Sequence, residues 1–287
     1  MQEYRFHALP DLGAIRFSGP DAATFLQGQL TADLRRLEPG RSTLAAWCSP
    51  QGRAIALMHV APTPDGFVAV LPRELCGPVA ARLSRFVMRS KVKVEDISAG
   101  LDVAGVSGRE AGSFERCDGV TALRLTVERD LLLARGERLR EVLKGVPQAG
   151  DGAWDLSCVQ LGEPEVYAAT SESWVPQMLN LDLLGAVSFQ KGCYPGQEIV
   201  ARTQHLGRIK RRLFRYRVTG GTLRQAGAAL LLGSDKVAEV VRSASCDGRQ
   251  ELLAVVNLDA AGAGLTDASG ALTCSPEPLP YGVPEAE

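Results

Sequence analysis

Lys191-Gly192-Cys193-Tyr194-Pro195-Gly196-Gln197-Glu198 sets one cysteine among glycines, with a lysine two residues before it and a carboxylate five residues after. Sequence that builds a core shows a period of 2 or 3.6, and this stretch shows neither. It reads as an exposed, tightly turned loop. Gly192, Tyr194 and Gly196 are the residues that would shape it, the glycines by adopting backbone conformations barred to other residues. A thiol is chemically useful when it is accessible and partly ionised, and a nearby cation favours that state. Cys193 supplies the thiol and Lys191 the cation. Gln197 offers donor and acceptor groups, and Glu198 a carboxylate. The competing reading is a small buried cysteine on a structural turn, and the residues of the loop alone leave the two open.

Downstream, Arg202, Arg208, Lys210, Arg211, Arg212, Arg215 and Arg217 form a basic run, with no acid between Glu198 and Asp235. One reading is a patch for an anion, either a polyglutamate-type carboxylate tail or RNA phosphate. The other is a solvated strand face whose charges are neutralised by acids elsewhere. Phe214, Tyr216 and Val218 alternate with Arg215 and Arg217, which favours the second reading for those two arginines. Arg208, beside Gly207 in a turn, is the better anion candidate. Past Arg211 short alternating stretches are punctuated by Gly220-Gly221, Gly233-Ser234-Asp235 and Asp247-Gly248, the cadence of a small antiparallel barrel or sandwich. The tail from Pro276 holds four prolines in nine residues and reads as a loose, extended terminus.

Upstream, Ala14-Ile15-Arg16-Phe17 reads as a strand. Ser18 or Gly19 then caps a helix that has Pro20 in its first turn and Phe25, Leu26 and Leu30 on one face. From Leu44 to Leu71 short strands are joined by Ser49-Pro50-Gln51-Gly52 and Pro64-Asp65-Gly66, good hairpin connectors. Leu75, Val79, Leu83 and Phe86 then recur at helical spacing, and residues 91–95 alternate as a half-buried strand. Residues 101–134 read as strand and turn, 136–145 as a charged helix, and Trp154, Cys158 and Leu161 as a further helix. The stretch 170–200 has no clear period. His59 falls within a strand and reads as structural. Trp47 and Trp174 could stack a flat heterocycle, although a tryptophan is more often partly buried core.

The chain has 287 residues, 45% hydrophobic and 23% charged, which is ordinary for a soluble globular protein, and its length suits two or three domains at ~100–200 residues each. A net charge of −1 provides no global field for nucleic acid or anionic membrane, so any attraction to polyanions must be local. Seven scattered cysteines without C-x-x-C spacing suggest free thiols in a reducing compartment. Three histidines, none near a second ligand in sequence, give no local metal site, so the expected metal set is none. The N-terminus lacks a signal-peptide pattern and no apolar run is long enough to span a bilayer, so a cytoplasmic protein, monomeric, is expected. Gly105-Val106-Ser107-Gly108 lacks the full dinucleotide fingerprint, and neither a P-loop nor a G-x-S-x-G elbow occurs.

The string at 191–198, continued by Ile199-Val200-Ala201-Arg202, resembles the signature of the YgfZ family, folate-binding proteins related to the aminomethyltransferase (T-protein) of glycine cleavage. Other matches follow in order: Ser18-Gly19-Pro20-Asp21-Ala22, Phe25-Leu26-Gln27-Gly28-Gln29-Leu30-Thr31-Ala32-Asp33, Cys48-Ser49-Pro50-Gln51-Gly52-Arg53, Phe86-Val87-Met88-Arg89-Ser90-Lys91-Val92 and Pro176-Gln177-Met178-Leu179-Asn180-Leu181. The resemblance implies an α+β, three-lobed cloverleaf. Residues 1–45 with 150–205 would form one α+β lobe, 46–149 a second, and 206–287 an antiparallel β-barrel.

It also implies a folate-binding accessory protein of iron–sulfur cluster assembly or repair, one that supports tRNA thiolation indirectly. Its partners would be tetrahydrofolate or a derivative and iron–sulfur clients, with no membrane and no direct RNA contact. Cys193 would be the working thiol with Lys191 beside it, and Trp174, Gln197, Glu198, Arg202 and Arg208 would hold the folate. Two departures from the T-protein bear on mechanism. Its folate-contacting aspartate has no counterpart in residues 52–57, and its pterin-anchoring glutamate corresponds to Leu184. Loss of such a carboxylate removes ~1–3 kcal/mol, so folate binding should be weak. A folate-dependent one-carbon transferase is therefore the alternative, and whether the protein is an enzyme at all stays open. An RNA-binding module on the 202–217 face ranks last, because no exposed aromatics interleave with those cations.

Overall fold

The computed structural model describes residues 4–108, 117–205 and 207–284. Residues 1–3 of the N-terminal reading, 109–116 of the strand-and-turn stretch, residue 206 of the basic run and 285–287 of the tail lie outside them. The chain divides into two units. Met1–Cys48, Ala56–Ala149 and Ala186–Pro195 make the first, and Ser49–Ile55, Gly150–Gly185 and Gly196–Glu287 the second.

The first unit contains β1 (Arg5–Ala8), β2 (Leu12–Ser18), α1 (Ala22–Gln27), β3 (Thr43–Cys48), most of β4 (Ala54–Thr63), β5 (Gly66–Pro72), α2 (Arg73–Ser84), β6 (Lys93–Asp96), β7 (Asp102–Ser107), β8 (Thr121–Thr126), β9 (Arg129–Ala134) and α3 (Gly136–Val142). One sheet has the order β3-β4-β5-β2-β6 and the other β1-β7-β9-β8. Both connectors marked in the sequence fall between strands of the first sheet, and β2 runs antiparallel to β5 from Leu12↔Pro72 to Ser18↔Gly66. Leu75, Cys76, Val79, Ala80 and Leu83 form the buried face of α2.

Two expectations are corrected in this unit. The residue before α1 is Asp21 rather than Ser18 or Gly19, and its carboxylate accepts from the backbone N–H of Lys91 at 2.6 Å instead of capping the helix. Phe86, spaced as if on α2, lies beyond the end of that helix and is 48% exposed.

The second unit holds α4 (Ala153–Gln160), α5 (Gln197–His205), β10 (Arg211–Thr219), β11 (Ala229–Leu232), β12 (Asp235–Cys246), β13 (Arg249–Asn257), β14 (Leu265–Thr266) and β15 (Thr273–Glu277). The six strands close into an antiparallel barrel in the order β10-β13-β12-β11-β14-β15. Tyr216, Val218, Leu230, Val240, Leu252 and Val256 belong to its interior cluster. Full burial of one such side chain contributes about 1.5–3 kcal/mol.

The tail is corrected as well. It is not loose, because β15 pairs with β10 from Arg215↔Glu277 to Thr219↔Thr273, and Tyr281 donates its hydroxyl to the Gly162 carbonyl at 2.9 Å. Nor is the stretch up to 200 wholly irregular, since α5 begins at Gln197 inside the motif.

Candidate functional site

The motif straddles the unit boundary, with 191–195 in the first unit and 196–198 in the second. In the first unit Lys191 is buried. Its Nζ donates to the backbone carbonyls of Leu30 at 2.6 Å and Ala32 at 2.7 Å, and stands 5.5 Å from the centre of the Tyr194 ring. Burial pushes its pKa down to about 8, while the Asp33 carboxylate acts the other way. Tyr194 is buried and its hydroxyl has no hydrogen-bond partner among the described residues. Burial raises its pKa well above the ordinary phenol value.

Cys193 is the exposed cysteine of the chain; Cys48, Cys76, Cys158 and Cys274 are buried, and Cys117 and Cys246 half-buried. Burial pushes the Cys48 thiol up to about 12 and the Cys76 thiol up to about 11. A buried thiol held protonated is inert, so accessibility separates Cys193 from these others.

In the second unit Gly196 has φ +79, and a Cβ there would stand 2.4 Å from the Ser49 carbonyl oxygen and 2.7 Å from the Gly52 Cα. Gly52 (φ +70) is equally crowded, its would-be Cβ 2.9 Å from Ile199 Cβ. Within the second unit, the end of the motif and the 49–53 stretch therefore meet through two glycines. Gly192, expected to shape the loop, does not need glycine's freedom. Its φ is not positive and nothing lies within 4 Å of where a Cβ would stand.

Glu198 and Arg202 lie one turn apart on α5, both exposed, and Gln197 is half-buried at its start. Val200 is the buried residue of that helix, and its carbonyl accepts from Gln177 Nε2 at 2.7 Å. Trp174 is 1% exposed, so its ring belongs to the packed interior. Its carbonyl oxygen accepts from Ala54 N–H at 2.8 Å.

The basic run separates into two groups. Arg212 makes a two-pronged pair with Asp182 at 2.7 and 2.9 Å, both side chains buried. Arg215 pairs with fully buried Glu251 at 2.7 Å, and Arg217 with Glu277 at 2.6 Å. These three are neutralised by acids in the turn at Asp182, on β13 and on β15. Arg208 and Lys210 are exposed and line a cleft of about 720 Å³ with Gln204, Asn257 and Asp259. That volume lies in the range of small-molecule sites, ~300–1,000 Å³. Sequence reasoning missed Asp182 and Glu251 as partners of the run, because each is distant in the chain and only pairing in space reveals it.

Antiparallel sheets with few helices and a closed C-terminal barrel define an aminomethyltransferase-type fold. The glycine cleavage system aminomethyltransferase T of Bartonella henselae matches it with a TM-score of 0.76 over 99% of this chain and 88% of that one, at 15% identity, a likeness of fold. The chain is 32% identical to the tRNA-modifying protein YgfZ of Enterobacter sp. (strain 638), and also to that of Edwardsiella ictaluri (strain 93-146). In each case the match covers 97% of this chain and 93% of the relative. No family model matches the chain. By these relatives it belongs to the YgfZ family. Among the described residues no helix is long and apolar enough to cross a membrane.

Proposed function

We propose that this protein is a folate-binding accessory factor of iron–sulfur cluster assembly or repair that supports tRNA modification, with Cys193 as its working thiol. The observation that carries the reading is the exposure of Cys193 on a loop whose preceding residue but one, Lys191, is anchored to two backbone carbonyls. A reactive sulfur needs access for its cargo and a fixed position, and an anchored loop with an outward thiol offers both. The Tyr194 hydroxyl supports the same reading, since a buried polar group without a partner calls for one. The printed name of the relatives, tRNA-modifying protein, is the support for the link to tRNA.

Folate carries an anionic carboxylate tail and a pterin rich in donors and acceptors. The second unit has a donor set that fits this chemistry. Arg208 and Lys210 in the cleft suit carboxylates, and Gln197, Glu198 and Arg202 on α5 suit polar groups. Folate, when bound, supplies one-carbon chemistry; the chain's own groups bind and orient it. Trp174 is left to core packing because its ring has no open face.

Calorimetric titration with tetrahydrofolate should give weak, saturable binding. Arg208→Ala should lower the affinity about tenfold, the effect of losing one charge-assisted contact. Binding unaffected by that change would remove the cleft from the site. Cys193→Ser should leave tetrahydrofolate affinity unchanged and abolish support of cluster-dependent enzymes in cells lacking the native gene.

A further inference from the structure

Between Glu74 and Glu95 the chain carries Arg82, Arg85, Arg89, Lys91 and Lys93 and no acid. α2 ends at Ser84 and the chain turns tightly, with Phe86 N–H donating to the Leu83 carbonyl at 2.9 Å and Ser90 N–H to that of Val87 at 2.8 Å. Lys91 is tied down on the far side, where its N–H donates to the Asp21 carboxylate at 2.6 Å and its carbonyl accepts from the Asp21 N–H at 3.4 Å. Met88 has φ +45, the left-handed region that side chains rarely enter, and is 89% exposed.

Phe86, half exposed, meets the buried Trp47 edge to face, ring centres 6.4 Å apart and planes at 79°. The Arg82 guanidinium lies 5.3 Å from the Trp47 ring centre. The aromatic pair therefore braces Phe86 from inside while half of its ring meets solvent. Lys93 pairs with Glu95 at 2.6 Å. Arg85, Arg89 and Lys91 are exposed and make no side-chain ion pair among the described residues.

A solvated face needs neither a strained turn nor a braced aromatic held outward among unpaired cations. Binding of single strands needs both of the latter features: cations to track phosphates and an aromatic ring on which a base can stack. The basic run at 202–217 lacks such an aromatic, whereas this turn has one.

We propose that the turn at residues 85–91 binds single-stranded nucleic acid, with Phe86 stacking a base and Arg85, Arg89 and Lys91 contacting phosphates. The inference does not rest on the folate or thiol reading. Since the net charge of the chain is −1, the attraction must come from local patches such as this one.

The test is fluorescence anisotropy of a short single-stranded RNA, and of DNA of the same sequence, with the full chain over a range of salt. Affinity should fall as salt rises. Arg85→Ala together with Arg89→Ala should make the log–log slope shallower by roughly 0.7 per lost phosphate contact. Phe86→Leu, which keeps apolar cover on Trp47 but removes the ring, should weaken binding about tenfold at unchanged slope. Both variants should melt as the parent does. Binding of either strand supports the shared chemistry, and RNA binding alone would add recognition of the 2′-hydroxyl. No salt-dependent binding at low ionic strength would overturn the proposal. So would equal affinity for a polyglutamate peptide with no effect of Phe86→Leu, which would point to an acidic protein partner instead.

Discussion

Lys191 keeps its ammonium on the carbonyls of Leu30 and Ala32, both on buried residues. Lys191→Met removes the donors and leaves two buried acceptors unmatched, a loss of about 1–3 kcal/mol that urea denaturation will read. The same residue sets a pH dependence. Its folded pKa is lowered from 10.5 to about 8, so between those values the unfolded chain binds more protons than the folded one. Stability contributed by this group therefore rises as pH increases from about 8 to 10.5, and below about 8 it gives no slope. The neutral amine keeps two N–H donors for the two carbonyls. Denaturation at stepped alkaline pH should show this rise in the parent and not in Lys191→Met. Cys193→Ala, at an exposed position, should change stability by no more than about 0.5 kcal/mol. Gly196→Ala forces a Cβ to 2.4 Å from the Ser49 carbonyl at positive φ and should cost at least about 1–3 kcal/mol. Gly192→Ala, with open space, should be nearly silent in the same assay.

At the scale of elements, the strands were legible because a half-buried strand writes a period of 2. Tyr216 and Val218 face the barrel interior, and Arg215 and Arg217 end in ion pairs on its other side. α5 was not legible. It follows Pro195-Gly196 and has one buried residue, Val200, so no stripe of apolar positions announces it. The final strand was hidden by its proline. Pro276 pairs opposite Tyr216, beyond the point where β14 contacts β15 at Leu265↔Cys274, so no ladder on that flank needs the missing N–H. Of the candidate site, the loop residues alone left the exposure of Cys193 open; a tight turn at Gly196 could be read from glycine density and the absence of a period. The anchoring of Lys191 could not, because its acceptors lie some 160 residues earlier in the chain. Arg212→Leu strands a buried Asp182 carboxylate and should cost about 3–5 kcal/mol in urea denaturation. Removal of residues 273–287 deletes β15 and opens the barrel between β10 and β14, and should abolish its cooperative melting.

For the whole molecule, membership of the YgfZ family and the aminomethyltransferase-type fold come from different evidence, sequence identity across 97% of the chain and a TM-score of 0.76 at 15% identity. The fold alone does not assign a reaction. What directs the functional reading is the thiol loop, together with the division of the basic run into neutralised arginines and the two exposed cations of the cleft. The most direct measurement is tRNA thiolation in cells lacking the native gene and supplied with either the parent or Cys193→Ala, at matched protein levels. With Cys193 as the working thiol, thiolation is restored by the parent and stays at background with the variant. Full restoration by Cys193→Ala would contradict that role of the thiol.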